Sequence, residues 1–168
     1  MTTVKPGWQG RFYEDFCVGD IYRSRLGRTI TETDNIHFTL LTNNSNQIHF
    51  NTDYASRTEF KQPLVNSAMT LSVIAGLGVS DVSENGFALG WDYIRLPHPV
   101  FHGDTLYAEN EVIETRESRS RPAQGIVKVR TRGINQNGVV VMEYERTVMV
   151  WKRAHAPLTN LFPTKSST

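Results

Sequence analysis

The stretch Ser67-Ala68-Met69-Thr70-Leu71-Ser72-Val73-Ile74-Ala75-Gly76-Leu77 decides the fold of this 168-residue chain. Its apolar side chains fall on every face of a helix, with only Ser, Thr and Gly between them. A helix that is apolar all round has to be buried on all sides. Because the chain is long enough for about one domain, the rest of the fold must wrap around this helix. We therefore predict a buried central helix from Ser67 to about Leu77.

The second half of the chain supplies strands that can wrap this helix. Four segments rich in Val, Ile, Thr, Tyr and Phe, a composition typical of strands, lie at residues 87–96, 105–115, 125–135 and 139–152. Asn137-Gly138 between the last two is a strong hairpin signal. From 126 to 131 apolar and basic residues alternate, so one face of the sheet is expected to be solvated. We predict an α+β hot-dog fold, in which an antiparallel sheet of five or more strands curls round the central helix.

The first half predicts short elements and loops within the same domain. These are a strand at 21–30, a helix from Glu32 to about Thr42 and a short helix at 53–58. Thr31, followed three residues later by Asp34, has the form of a helix N-cap. We expect one domain over residues 1–168 with its core at about 10–152, and flexible termini at 1–9 and 156–168.

Composition excludes several classes of function. Lys and Arg number 18 against 17 Asp and Glu, a formal net charge of +1, whereas nucleic-acid binding needs a dense excess of basic charge. Cys17 is the single cysteine, and no His, Asp and Glu set has metal-ligand spacing, so no metal site is expected. The start has no apolar signal segment, and the longest uncharged run, 62–80, is too polar to span a membrane. We expect a cytoplasmic protein.

His49 is the histidine with the most informative surroundings. It follows a polar loop at residues 43–47 and precedes the central helix. A side chain that titrates near neutral pH lies there beside amide and hydroxyl groups that could orient it. Two interpretations stay open from spacing alone, a general acid–base and a hydrogen-bonded structural histidine. The other four are expected on surfaces, in loops or in the tail: His37, His98, His102 and His155.

The polar loop also carries a resemblance to a known family. Residues 42–49, Thr-Asn-Asn-Ser-Asn-Gln-Ile-His, resemble the hydratase loop of the MaoC-like, R-specific enoyl-CoA hydratase family, commonly Ser-Gly-Asp-x-Asn-Pro-Leu-His. Four further segments resemble the family in order, at residues 10–20, 28–34, 60–67 and 99–105. One such segment would be weak, but five in order are specific, and together they cover roughly residues 10–152.

The resemblance implies a hot-dog hydratase or dehydratase that acts on CoA thioesters. In such enzymes a carboxylate and the histidine hold the water that adds across the double bond, and backbone N–H groups at the start of the central helix polarise the thioester carbonyl. By this resemblance His49 is the catalytic histidine, and Ser67, through its N–H, forms the oxyanion site with Asn66 and Asn46 nearby. The CoA thioester is the substrate, and no separate cofactor is implied.

One position departs from the family pattern, since Asn44 stands where the family has its catalytic Asp. An amide cannot act as a base. Three alternatives therefore stay open for how a catalytic site formed by Asn44 and His49 would work without the family's Asp. Another carboxylate, such as Asp34 or Asp53, could replace the Asp. The substrate could bring its own carboxylate, as mesaconyl-CoA or itaconyl-CoA does. The protein could instead bind acyl-CoA without turnover.

Two further segments favour the dicarboxylic substrate. Residues 79–85 and 116–122 resemble the MaoC-like branch linked to C5 dicarboxylic acyl-CoA metabolism. An acyl-CoA thioesterase is less favoured because no segment resembles one.

The arginines of the second segment, Arg116, Arg119 and Arg121, invite a CoA-phosphate site because guanidinium pairs with phosphate in a bidentate manner. A solvated hairpin loop is the alternative. A hot-dog sheet of this size leaves one edge uncovered, so we also expect a homodimer or a higher homo-oligomer with sites between subunits.

Overall fold

The computed structural model describes residues 2–5 and 7–157. In chain order the strands and α-helices are β1 (Ile21–Arg23), β2 (Arg28–Thr29), α1 (Glu32–Leu41), α2 (Thr52–Ser56), α3 (Ser67–Leu77), β3 (Gly86–Arg95), β4 (Thr105–Glu117), β5 (Gln124–Asn135) and β6 (Val140–Trp151). Trp8 and Gln9, in the segment predicted to be flexible, contact the body of the protein at Ser80 and Asn85. The flexibility of the termini stays a prediction, and residues 158–168 lie outside the described part.

All the strands form one antiparallel sheet, which confirms the predicted α+β architecture. The strand order is β1-β4-β5-β6-β3, with β2 also pairing with β4. Gly138 has φ 77° in the turn that joins β5 to β6, as the Asn-Gly signal predicted. Val127 and Val129 are fully buried, whereas Lys128 and Arg130 on the other face pair with Glu145. The sheet therefore has one apolar concave face and one charged, solvated face.

The central helix α3 spans Ser67–Leu77, as predicted, but its predicted burial on all sides is wrong for this chain. Only Met69, Thr70 and Ile74 are buried. One concave sheet covers one side of a helix, and the close approach is made at Gly133, where an added Cβ would overlap the Ile74 side chain. The opposite side of α3 lines an open groove.

The predicted strand at 21–30 is interrupted. Its two ends, β1 and β2, both pair with β4. Between them the Ser24 hydroxyl oxygen accepts a hydrogen bond from the Ala108 N–H, so a side chain takes the place of a strand carbonyl.

Among the described residues no helix is long and apolar enough to cross a membrane, and the cytoplasmic location stays a prediction.

Helix α1 carries the predicted cap but an unexpected buried face. The Thr31 hydroxyl accepts from the Asp34 N–H, while the Asp34 carboxylate accepts from the Thr31 N–H and hydroxyl. The fully buried positions of this helix are Asn35 and Thr39. Leu41, by contrast, is 83% exposed. A helix with this pattern is fixed in place by hydrogen bonds from its buried polar face.

Replacing Asp34 by Asn is expected to destabilise the protein at neutral pH by about 1 kcal/mol, because a neutral amide accepts weaker hydrogen bonds from Thr31 and loses the charge that favours a helix N-terminus and pairs with Arg28. Hydrogen bonds from the Thr31 hydroxyl and N–H, and then the Arg28 guanidinium, lower the pKa of Asp34. A carboxyl whose pKa is lower folded than unfolded stabilises above its unfolded pKa, and that stabilisation is lost as the pH falls through the folded value. Urea unfolding should therefore separate Asp34→Asn from wild type at pH 7, and the gap should close below about pH 4.

Asp53→Asn is the matched control, because Asp53 also lies in the first turn of a helix but is largely exposed and pairs with Arg57. It should change the unfolding free energy by about 0.5 kcal/mol or less. An Asp34→Asn deficit of the same size at both pH values would contradict the interpretation.

Candidate active site

One cavity of about 280 Å³ brings His49 and Ser67 together. It lies between the N-terminus of α3 and the segment that joins β3 to β4. Its lining residues are His49, Phe60, Leu64, Val65, Ser67, Thr70, Leu96, Pro97, His98, Pro99 and Val100. Most of the wall is apolar, with a few polar groups, as is usual for small-molecule sites.

His49 is held by the short 3-10 helix Gln47–His49. Asn46 begins this helix, and its side-chain oxygen accepts from the Ile48 N–H. The imidazole is 8% exposed, and its Nδ1 lies 2.8 Å from the Leu64 carbonyl oxygen. A carbonyl only accepts, so Nδ1 carries the proton and Nε2 keeps its lone pair. His49 is therefore oriented as a base that uses Nε2.

The N-terminus of α3 forms the second polar group of the cavity. Asn66 caps the helix, with its side-chain oxygen accepting from the Ala68 N–H at 3.0 Å. The Ser67 N–H, at the first helical position, has no acceptor among the described residues. A helix N-terminus attracts negative charge through its free N–H groups and its dipole. The end of α3 can therefore polarise a carbonyl placed against Ser67.

The structure does not bring Asn44 or Asn46 into this cavity. The Asn44 side-chain oxygen accepts from the Asn46 N–H at 3.0 Å, and Asn43, just before it, has φ 54°. Both side chains therefore brace the loop that leads to His49. A direct catalytic role for Asn44, or a substrate contact by Asn46, stays a prediction.

Neither of the carboxylates considered as a replacement lines the cavity. Asp34 is engaged in the cap of α1, and Asp53 accepts two hydrogen bonds from Arg57. No Asp or Glu is found among the described residues that line the cavity. Among the residues that line the cavity, His49 and His98 are therefore the groups with acid–base chemistry near neutral pH.

The three arginines proposed for CoA phosphate lie far from the His49 cavity in the structure. Arg116 is the next-to-last residue of β4, and Arg119 and Arg121 are exposed in the loop that follows. The cavity meets the other end of β4, so about 35 Å of strand separates them at about 3.3 Å per residue. Arg121 stacks on Phe87, with its guanidinium carbon 5.6 Å from the ring centroid. A phosphate role for this hairpin stays a prediction.

Two site residues were missed by the sequence interpretation. His98 was expected to be an ordinary loop histidine, but it lines the cavity, with Nδ1 2.9 Å from the Val140 carbonyl oxygen. Asn35 was not singled out, although it is fully buried beside His49. The sequence did carry one signal for Asn35. It lies four positions before Thr39, so the two polar side chains share one face of α1. His37 and His155 are exposed, as expected.

Across residues 2–5 and 7–157, no group of three or more His, Cys, Asp and Glu side chains could hold a metal ion.

The fold and the site together define a hot-dog protein of the MaoC-like dehydratase class. The MaoC-like dehydratase from Rhodospirillum rubrum superposes with a TM-score of 0.77 at 26% identity, over 89% of this chain and 100% of that chain. The protein RV0216 from Mycobacterium tuberculosis, described as a double hotdog fold, gives a TM-score of 0.78 over 86% of this chain and 45% of that chain. Because the two sequences are only 20% identical, this likeness concerns the fold.

The chain belongs to the mesaconyl-CoA hydratase family, whose model matches residues 3–159. Mesaconyl-CoA hydratase from Cereibacter sphaeroides is 37% identical over 145 residues, which cover 86% of this chain and 42% of that protein. β-Methylmalyl-CoA dehydratase from Chloroflexus aurantiacus is 35% identical over 154 residues, covering 89% and 44%. This chain thus spans less than half the length of these two curated relatives.

Proposed function

We propose that this chain is a hydro-lyase that adds water to, or removes it from, the double bond of a branched C5 dicarboxylic CoA thioester such as mesaconyl-CoA. The observation that carries the proposal is the cavity whose wall includes both His49, with Nδ1 engaged by the Leu64 carbonyl, and Ser67 at the start of α3. An oriented base next to a helix N-terminus is the arrangement that an α,β-elimination or addition at a thioester requires.

In the hydration direction His49 acts first as a base and then as an acid. His49 Nε2 takes a proton from water as the water oxygen bonds to C3 of the enoyl thioester. The electron pair of the double bond moves onto C2 and the thioester oxygen, where the Ser67 N–H and the α3 dipole stabilise the charge. The protonated His49 then returns a proton to C2, and the net change is the gain of one water.

Two observations favour the dicarboxylic substrate. The chain's relatives are named for mesaconyl-CoA and β-methylmalyl-CoA. The cavity wall is apolar except for Ser67, Thr70 and the two histidines, and no acidic side chain lines it that would repel a second carboxylate.

The test is mass spectrometry of mesaconyl-CoA, itaconyl-CoA and crotonyl-CoA after incubation with the purified protein. We expect the mass of one water to be gained on a dicarboxylic substrate, faster than on crotonyl-CoA. Hydration of crotonyl-CoA alone would keep the reaction and reject the dicarboxylic preference. Release of free CoA would indicate a thioesterase instead.

A second candidate, an acyl-CoA-binding protein without turnover, is favoured by the cavity's lack of a carboxylate beside His49. It predicts binding of the same CoA esters with no hydration.

The site is completed, in this proposal, by a second copy of this chain placed along β3. This strand ends the sheet and exposes large apolar residues, with Leu89 49%, Trp91 43% and Ile94 44% exposed. An unpaired apolar edge strand is a site for pairing with another chain. The mesaconyl-CoA hydratase and β-methylmalyl-CoA dehydratase relatives are about twice as long as this chain, a length that two hot-dog units would fill.

Arg146 supports the same edge as an interface. It is 7% exposed, its guanidinium carbon lies 5.5 Å from the centroid of Trp91, and its Nε has no partner in the described residues. Burial lowers the pKa of its guanidinium. A buried cation without a carboxylate next to an open strand is stabilised if a second chain brings an acceptor.

A further inference from the structure

Asn35 links the two parts of the candidate active site, the segment that holds His49 and the N-terminus of α3. It is fully buried on the inner face of α1, 14 residues before His49 and 31 before Asn66 in the chain. Its side chain makes hydrogen bonds to three separate segments. The first holds His49, the second runs from Leu64 to Asn66 at the start of α3, and the third holds His102.

The amide nitrogen of Asn35 acts on the histidine side. Nδ2 lies 2.8 Å from the His49 carbonyl oxygen and 3.1 Å from the Leu64 carbonyl oxygen. The Leu64 oxygen is the same atom that accepts from His49 Nδ1. Asn35 therefore fixes both the backbone of His49 and the acceptor that sets the orientation and the proton position of its ring.

The amide oxygen of Asn35 acts on the helix side. Oδ1 accepts from the Asn66 N–H at 2.8 Å, and Asn66 is the residue that caps α3. Nδ2 also lies 3.0 Å from His102 Nε2, so its two hydrogens are shared among the His49 and Leu64 carbonyl oxygens and this ring nitrogen. A single side chain with a donor and an acceptor at one end can bridge these groups, and among the twenty side chains Asn does so at this length.

We propose that Asn35 is a positioning residue, which holds His49 and the N-terminus of α3 in the mutual geometry that the proposed hydration requires. The inference rests on the proposed function, because it assigns Asn35 to the same site. A catalytic pair that shifts by about 1 Å loses about 10²-fold in rate. Asn35 is not among the residues that line the cavity, so its loss should act on kcat and leave KM near the wild-type value.

The experiment compares Asn35→Ala and Asn35→Asp with a buried asparagine elsewhere. Asn35→Ala removes both arms, whereas Asn35→Asp keeps the acceptor for Asn66 and loses the donor to Leu64. The control is Asn110→Ala, since Asn110 is 2% exposed, accepts from the Thr131 hydroxyl and lies under Gly78, at the other end of α3. Eleven helical residues put this position about 16 Å from Ser67.

We expect kcat to fall about 10²-fold in both Asn35 variants, with KM near wild type, and Asn110→Ala to lower the melting temperature with kcat unchanged. Folded Asn35 variants with wild-type kcat, or an equal loss of kcat in Asn110→Ala, would overturn the proposal.

Nitrogen NMR of the His49 ring supplies a readout that does not depend on turnover. In the wild type the proton should reside on Nδ1, and in Asn35→Asp this preference should weaken, because the donor that holds the Leu64 carbonyl opposite Nδ1 is gone. An inactive wild type would reject the proposed hydratase, while the ring spectrum would still decide the role of Asn35. An unchanged ring spectrum in folded Asn35→Asp would overturn the positioning role.

Discussion

His49→Gln is expected to reduce hydration by about 10²–10⁴-fold, the range for loss of a general acid–base. The glutamine amide can still reach the Leu64 carbonyl region, but it has no group that takes a proton from water near neutral pH. Binding of the CoA ester depends on the cavity walls and the α3 N-terminus, so KM should change little. The measurement is initial hydration rate against substrate concentration for purified wild type and variant.

The control is His155→Gln, since His155 is exposed in the last described turn, away from the cavity lining. It should retain the wild-type rate. His49→Gln with undiminished turnover would reject His49 as the acid–base and reassign it to a structural role. In that case the hydrogen bond from His49 to the Leu64 carbonyl would be the main contribution of the residue.

Introducing charge on β3 is expected to halve the molecular mass in solution and to abolish hydration. Leu89→Lys together with Ile94→Lys places two ammonium groups on the apolar edge that we assign to a second copy. Like charges brought together across a paired edge oppose association. Light scattering after size exclusion measures the mass, and the substrate assay on the same fractions measures the activity.

Leu41→Lys provides the comparison, because Leu41 is 83% exposed on α1 and lies outside β3. It should keep both the dimer mass and the activity. A monomeric wild type would contradict the proposed pairing. A charged variant that is monomeric yet fully active would show that one hot-dog unit carries the whole site.

Much of the fold was predictable because local patterns decide it. Residues 67–77 are apolar on every face, and the helix found there has the predicted bounds. The strands after it lie within two residues of their predicted ends, because β-branched and aromatic composition and the Asn137-Gly138 turn are local signals. The break in the strand at 21–30 was missed because it depends on the Ser24 hydroxyl meeting Ala108, 84 residues away.

The candidate site divides in the same way. Sequence alone determined the hot-dog class and singled out His49 and Ser67, since a family pattern is carried by residues close together in the chain. Only the tertiary structure decided that Asn44 faces its own loop, that His98 lines the cavity and that Asn35 joins three segments. The physical reason is that hydrogen bonds between distant segments depend on how helices and sheet pack, and no local periodicity records that packing.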